Sequence, residues 1–477
     1  MHVVPRGESY RDGTHDQELR ARRGRTGPHV RFERHSILYV ALVFFLLQSM
    51  SVLAIIDRSI YGEWPGKPGD KITQTLNLLT IFTSLFLFWW GTRKIRSARF
   101  NRILPLAVAS LPLISVLWSV APGVTFTQGL AYFFVVLGAI GFVEASDGDE
   151  LMDLVMLICG LSAVASIVQF FIFPEPGDFR GIFSQKNVLG QVMAAGVLAG
   201  LHGARIRGGR PFRYICVITL CTIVAFMSKS STSIMTIFMF LWLDMLGRFY
   251  LKGKSTRIIA ICLAIVSVAI VIFFAMNADL IFDVLGKDAT LTGRTLFWPY
   301  VIDKIGEKPI LGWGFCAFWS LSNPLALQIA EAIRGDNWFT FIIPNAHNGM
   351  LEFLLQIGFV GTVFFVFLWL RNFVLAVRCM NGPAGQFGVS SMLLLIGILV
   401  IGVSEEVLLA AQQIWTSLFF MMGFICEKQL WLARAARMST TTALQGSKQA
   451  RHFGVNLAAG RCPDVRSLDS YSTSRRQ

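Results

Sequence analysis

A chain of 477 residues that is 54% hydrophobic and 15% charged, with 40 phenylalanines and a mean hydropathy of +0.57, is too apolar for a water-soluble globule. Its net charge of +14 would suggest nucleic acid in a soluble protein. Here the Lys and Arg residues gather in tails and short segments between apolar runs, as membrane topology alone produces, so nucleic-acid binding is not supported.

Residues 1–35 hold eight arginines without apolar periodicity and read as a disordered basic cytoplasmic tail. Apolar runs follow at 36–56, 72–90, 103–120, 124–143, 151–173, 188–204, 212–227, 230–247, 257–276, 347–370, 388–403 and 407–426. Each approaches the ~20 residues a helix needs to cross the hydrocarbon, and helices alone satisfy their own backbone there. The expected fold is therefore an all-α polytopic membrane bundle of about 12 transmembrane helices. It comprises helices 1–9 over 36–276, a long, partly helical external loop over 277–346, helices 10–12 over 347–426, and a disordered tail over 427–477.

Basic residues concentrate on alternate sides. Loops 91–102, 205–213 and 248–257 carry five, four and four Lys or Arg, and the tail after Glu427 carries nine. The positive-inside rule places these segments and both termini in the cytoplasm and the long loop outside. In that loop DKIGEKP predicts a helix ending near Lys308, before Pro309.

The stretch Thr290–Gly361 carries charges, prolines, glycines and a histidine, in contrast to the apolar helices around it. A polar excursion from a membrane body is where chemistry is expected. Of seven histidines only His347 falls outside, at the mouth of the tenth span, where a neutral imidazole can accept a proton or simply cap the helix start. Arg294 in the long loop and Arg180 and Lys186 in FRGIFSQKN lie on the same side. They suit a pyrophosphate, or equally lipid headgroups and local carboxylates such as Asp178.

Glu352 and Gln356 share one face of the tenth span, where a carboxylate must face the bundle or water. On a straight helix Gly358 falls below His347, leaving room for a lipid chain or for close packing. Gly312-Trp313-Gly314 lacks the setting of a nucleotide fingerprint and reads as a tight turn after Pro309. SKSSTS at 228–233 has no base partner and reads as no nucleophile, and the eight cysteines show neither a CxxC pair nor zinc spacing, so no metal site is expected.

The segments GRTLFW, KPILGWGFCAFW and NAHNGMLEFLLQIGFVG, with FRGIFSQKNVLGQ and SKSSTS before them, resemble the membrane superfamily of O-antigen ligases, O-antigen polymerases and exopolysaccharide polymerases, most closely the exopolysaccharide-polymerase branch. The resemblance covers roughly residues 170–370. It implies transfer of a polyprenyl-pyrophosphate-linked oligosaccharide to a glycan or lipid A core hydroxyl at the periplasmic face of the bacterial inner membrane. Membrane lipid, a chain-length regulator and a flippase are the implied partners, and no cofactor is implied.

On the family pattern His347 is the base and Arg294, with Arg180 or Lys186, holds the pyrophosphate; Glu352 and Gly358 line the lipid groove or support the site. Gln185 stands where relatives often have His, and Trp298 where ligases tend to have Leu. Polymerisation is the first reading and a ligase the nearest alternative, with a polysaccharide-related transporter as a different class. Against transport stands the lack of a visible inverted repeat.

Overall fold

The computed structural model describes residues 36–50, 71–94, 102–146, 148–173, 177–207, 211–276, 294–319, 323–334 and 345–452. The expected tail at 1–35, the part of the expected 427–477 tail beyond residue 452, residues 57–70, and parts 277–293, 320–322 and 335–344 of the expected external loop lie outside these. Among the described residues the chain is helical, with no strand. Each of the twelve apolar runs overlaps a helix, although the last, expected from 407, becomes helical only at Ile414, and residues 51–56 of the first lie outside the described ones. The first nine are α1 (Ser36–Ser49), α2 (Lys71–Lys94), α3 (Ile103–Ile114, extended by a 3₁₀ turn Ser115–Trp118), α4 (Pro122–Ala145), α5 (Gly148–Ile172), α6 (Lys186–Ile206), α7 (Pro211–Met227), α8 (Ser231–Lys252) and α9 (Lys254–Met276).

Two helices follow in the polar excursion, α10 (Arg294–Glu307) and α11 (Pro324–Arg334), before α12 (Gly349–Met380), α13 (Gly385–Gly402) and α14 (Ile414–His452). α10 ends at Glu307, just before Pro309, as DKIGEKP requires. α4, α5, α8, α12 and α13 are each long and apolar enough to cross a membrane, and α3 and α7 are shorter apolar helices. The protein is a multi-pass membrane protein. One expectation fails: α14 continues to His452, so residues 427–452 are helix where the polar composition suggested a disordered tail. Its SLFFMMGFIC portion is buried in the bundle, and helix already nucleated there propagates at little cost through the Ala- and Gln-containing segment beyond.

α6 packs on α5 and α7 and α12 on α13, neighbours in sequence, while α2 packs on α4 across the intervening α3. The central core runs from Phe45 and Tyr132 through Phe183 and Leu198 to Trp415 and Phe424, all buried. A second, smaller core joins Phe297 and Val301 of α10, Trp313 and Phe318, Ala326 and Ile329 of α11, and Ala346 and Leu355. The polar excursion is thus folded, and it is seated on the first turns of α12.

α12 is not straight. At Gly358 the backbone turns to φ 65°, ψ −171°, a region essentially reserved for glycine, and the helix breaks. The break frees backbone groups that a continuous helix would pair, and residues 309–314 pair them. Trp313 N–H donates to Leu355 O (2.8 Å), Gly314 N–H to Gln356 O (2.9 Å), Phe359 N–H to Pro309 O (2.8 Å) and Val360 N–H to Ile310 O (3.1 Å).

The other side of this segment is held by the α3–α4 corner. Trp118 Nε1 donates to Leu311 O (2.9 Å), Val120 N–H to Trp313 O (3.1 Å) and Phe315 N–H to Ser115 Oγ (3.0 Å). Gly358 therefore faces protein, not an open groove. A Cβ there would collide with the Ile310 carbonyl oxygen and with Gly312 N. Of the two expectations for Gly358, close packing is the one realised; the straight-helix argument missed it because the glycine is where the helix stops being straight.

Gly358→Ala combines a forbidden backbone angle with backbone overlap and should destabilise the protein by on the order of 3 kcal/mol. Gly306→Ala, in α10 with open space around its missing side chain, should be neutral or slightly stabilising. Thermal unfolding of both variants in detergent, followed by monodispersity on size exclusion, checks the contrast.

Candidate functional site

The chain enters α12 through Asn345-Ala346-His347-Asn348. Asn348 is the N-cap, its Oδ1 accepting from Met350 N–H (3.0 Å) and Leu351 N–H (3.1 Å). His347 stands just outside the helix at φ 46°, a left-handed conformation uncommon for a residue with a side chain, and its N–H donates to Asn345 Oδ1 (2.9 Å).

Ala346 is fixed from two directions. Its N–H donates to Glu352 Oε2 (2.6 Å) and its carbonyl accepts from Trp298 Nε1 (3.0 Å). Glu352, fully buried, also accepts from Trp319 Nε1 (3.0 and 3.2 Å) and Gln356 Nε2 (2.6 Å), while Gln356 Oε1 accepts from Cys316 N–H (2.8 Å). A buried carboxylate is tolerable when its lone pairs are filled this way. Glu352 knots the loop onto α12 and holds the turn that presents His347; it does not line a groove.

The imidazole meets a residue that sequence reading passed over. His347 Nδ1 lies 3.4 Å from Glu405 Oε2, in the short α13–α14 connection, and Nε2 has no partner among the described residues. The ring is 22% exposed, enough for a substrate group to reach it. Glu405 is itself buried, and its Oε1 accepts from Asn187 Nδ2 (2.7 Å) in the first turn of α6.

The same connection is pinned by Asn348 Nδ2 to Val403 O (3.2 Å), and by a 2.6 Å bond between the Ser404 and Thr232 hydroxyls at the start of α8. The beginnings of α6, α8 and α12 thus converge on residues 403–405. The signal that would have found Glu405 is the acidic pair Glu405-Glu406 between two apolar runs. Burial, with the neighbouring charges of Glu352 and Glu405, pushes the Glu406 carboxyl well above its ordinary range.

Lys186, the first residue of α6, precedes Asn187 and pairs with Asp178 (2.7 Å). That hydrogen bond, and more weakly the charge of Lys229, lowers the Asp178 pKa, so the pair stays ionised at neutral pH. Lys229 sits in the SKSSTS turn at φ 54° and is a cation of this end that sequence reading left out. Arg180 lies in the same 177–185 connection, half-buried, its carbonyl accepting from Phe183 N–H (3.2 Å).

Arg294 is the first residue of α10, one turn before the Trp298 that holds Ala346; its side chain falls outside the described ones. The structure thus brings together His347, Glu352 and the Lys186 turn, and seats the start of α10 beside them. Among the described residues no three His, Cys, Asp or Glu side chains gather as a metal cluster.

A membrane bundle in which a histidine heads a broken helix, behind a folded loop that begins GRTLFW, can be compared with known proteins. Residues 215–366 match the O-antigen ligase family. That region runs from α7 to the middle of α12 and contains α10, α11, His347 and Gly358. The chain is also 26% identical over 275 residues to the exopolysaccharide production protein ExoQ of Rhizobium meliloti, covering 52% of this chain and 59% of that protein. It is 30% identical over 92 residues to a putative polysaccharide ligase of Rickettsia felis, 19% of this chain and 21% of the relative. The chain therefore spans under two thirds of either relative. The resemblance to the ligase and polymerase superfamily holds, and the O-antigen ligase region contains Arg294, His347 and Glu352, while Arg180, Lys186 and Glu405 lie outside it.

Glu406, beside Glu405 in the α13–α14 connection, supplies a pH test. Its folded pKa is raised, so the folded state keeps a proton that the unfolded chain loses near pH ~4.3. Stability from this group therefore falls as pH rises from there up to the folded pKa. Glu406→Gln should remove that decline, raising the melting temperature relative to the unsubstituted protein more at pH 8 than at pH 4.5.

Proposed function

We propose that this protein transfers a polyprenyl-pyrophosphate-linked oligosaccharide to an acceptor hydroxyl, joining exopolysaccharide repeat units. The observation that carries the reading is the His347 constellation: Nδ1 faces buried Glu405, Nε2 has no partner among the described residues, and cations stand at the neighbouring helix starts. The twelve helices span the bacterial inner membrane with both termini cytoplasmic, and the α10–α12 entrance faces the periplasm. In support, Lys and Arg dominate the opposite loops.

The chemistry follows from the groups present. The donor's pyrophosphate is met by Arg294, Arg180 and Lys186, joined by Lys229, which offset the charge that grows on the departing oxygen. The acceptor hydroxyl attacks the anomeric carbon. Its oxygen forms the new C–O bond as the bond to pyrophosphate breaks, and His347 Nε2 takes the hydroxyl proton. Glu405 holds Nδ1–H, fixing the tautomer and stabilising the imidazolium that forms, as a carboxylate does behind a catalytic histidine elsewhere. A single displacement inverts the anomeric centre; among the described residues no pair of carboxylates flanks His347 for the double displacement that retention needs. Glu352 acts through position, holding Ala346 and hence the imidazole.

The similarity to ExoQ favours an exopolysaccharide product, and the O-antigen ligase match keeps transfer to a lipid A core as the second reading. Purified protein in vesicles, given polyprenyl-pyrophosphate oligosaccharide with and without core acceptor, separates them. A ladder from donor alone means polymerase; a single core-linked product formed only with core means ligase. His347→Ala should lower turnover by roughly 10²–10⁴-fold with donor binding retained. Glu405→Gln, which keeps shape but loses the charge, should lower kcat by about 10² or more with little change in KM. Turnover unaffected by His347→Ala would remove the base from this scheme.

A further inference from the structure

The ends of α6 and α8 far from His347 carry a second polar assembly that the glycosyl-transfer scheme does not use. Arg205 lies nineteen residues beyond Lys186 on α6, about 28 Å along the helix axis and so at the opposite membrane boundary. Its side chain is 1% exposed and is engaged by Asp244, Ser390 and Gln386. Arg248, one turn after Asp244 on α8, donates Nε to Asp244 Oδ2 (2.7 Å), and its terminal amino groups have no partner among the described residues. With Lys252 and Gln386 these residues line a cavity of about 470 Å³, walled on its apolar side by Met245 and Phe249. Three cations thus line the cavity while one carboxylate, Asp244, pairs with Arg205 and Arg248, and the lining is left with excess positive charge. Complementing the end of one helix would need only one of them.

We propose that this cavity binds the phosphate headgroup of an anionic phospholipid. The apolar surface beside it distinguishes a lipid from a soluble phosphate ester. On α8, Phe238, Leu241 and Trp242 precede Met245, Phe249 and Lys252 at three- and four-residue spacing, one face of the helix. The first three are among the large exposed apolar side chains. That stripe runs from the cavity toward the membrane interior, where acyl chains attached to the headgroup must lie. A cationic pocket between helices at a membrane surface, continuous with apolar surface, has the chemistry of a phospholipid site. This site stands apart from the His347 centre and does not rest on the reaction proposed for it.

The full-length protein, purified and exchanged into nanodiscs, tests the site by native mass spectrometry after partial delipidation from equimolar phosphatidylglycerol and phosphatidylcholine. The unsubstituted protein should retain phosphatidylglycerol preferentially. Arg248→Ala with Lys252→Ala, which leaves buried Arg205 in place, should weaken that preference by roughly 30-fold, about 5-fold per cation. Arg248→Lys with Lys252→Arg should preserve it. No headgroup preference in the unsubstituted protein, or a preference untouched by the double alanine change, would overturn the proposal. Displacement of phosphatidylglycerol by millimolar inorganic phosphate would also overturn it, assigning the cavity to a soluble phosphate. Because the first comparison uses no variant, a misfolded double mutant does not protect the proposal.

Discussion

Backbone amides and carbonyls cannot go unpaired inside a membrane bundle, and the break in α12 at Gly358 opens several at once. Residues 309–314 close them, with Trp313, Gly314, Phe359 and Val360 donating across the gap. The rest of the polar excursion depends on this exchange. Once the segment is locked into α12, Trp313 and Phe318 are placed to bury against α10 and α11, and Cys316 N–H reaches Gln356. Gln356 then holds Glu352, and Glu352 holds Ala346. His347 is the next residue. Its position is set by a chain of hydrogen bonds beginning nearly three helical turns away.

The electrostatics around that histidine are divided. Carboxylates Glu352, Glu405 and Glu406 lie beneath it, buried or half-buried and tied to donors or to one another's fields. Cations Lys186 and Lys229 lie at the entering ends of α6 and α8, around Asp178. Helix starts add partial positive charge of their own, so the beginnings of α6, α8 and α12 face an approaching anion with aligned dipoles as well as side chains. Glu405 beside Nδ1 favours a protonated imidazole, Glu406 in its protonated form adds no charge of its own, and the cations at the helix starts favour an anion.

Much of this was legible in the sequence. Twelve apolar runs became helices, because burial of apolar length needs no partner information. The end of α10 at Pro309 was legible because proline stops a helix locally. What escaped reading depends on distant contacts. Gly358 looked like space on a straight helix, yet the left-handed angle and the segment filling that space come from residues almost fifty positions earlier. Lys229 sits in a three-residue turn and Glu405 in the connection between α13 and α14, segments that sequence reading treats as punctuation, and the convergence of three helix starts is what gives them their neighbours. The helix to His452 was missed because Ser, Thr and Arg composition does not record the buried helix feeding into it.

The plug precedes the helix it completes. During synthesis residues 309–314 are made before Gly358, so the segment has already emerged when the two halves of α12 arrive. Delivered alone, α12 would have no pairing for its broken backbone and every reason to straighten. Delivered after its plug, it meets a ready template, and the turn bearing His347 forms only when both have met. Completion of the site therefore requires more than a formed α12: the hydrogen bonds behind the turn that bears His347 need residues 309–314 folded back against both halves of the helix.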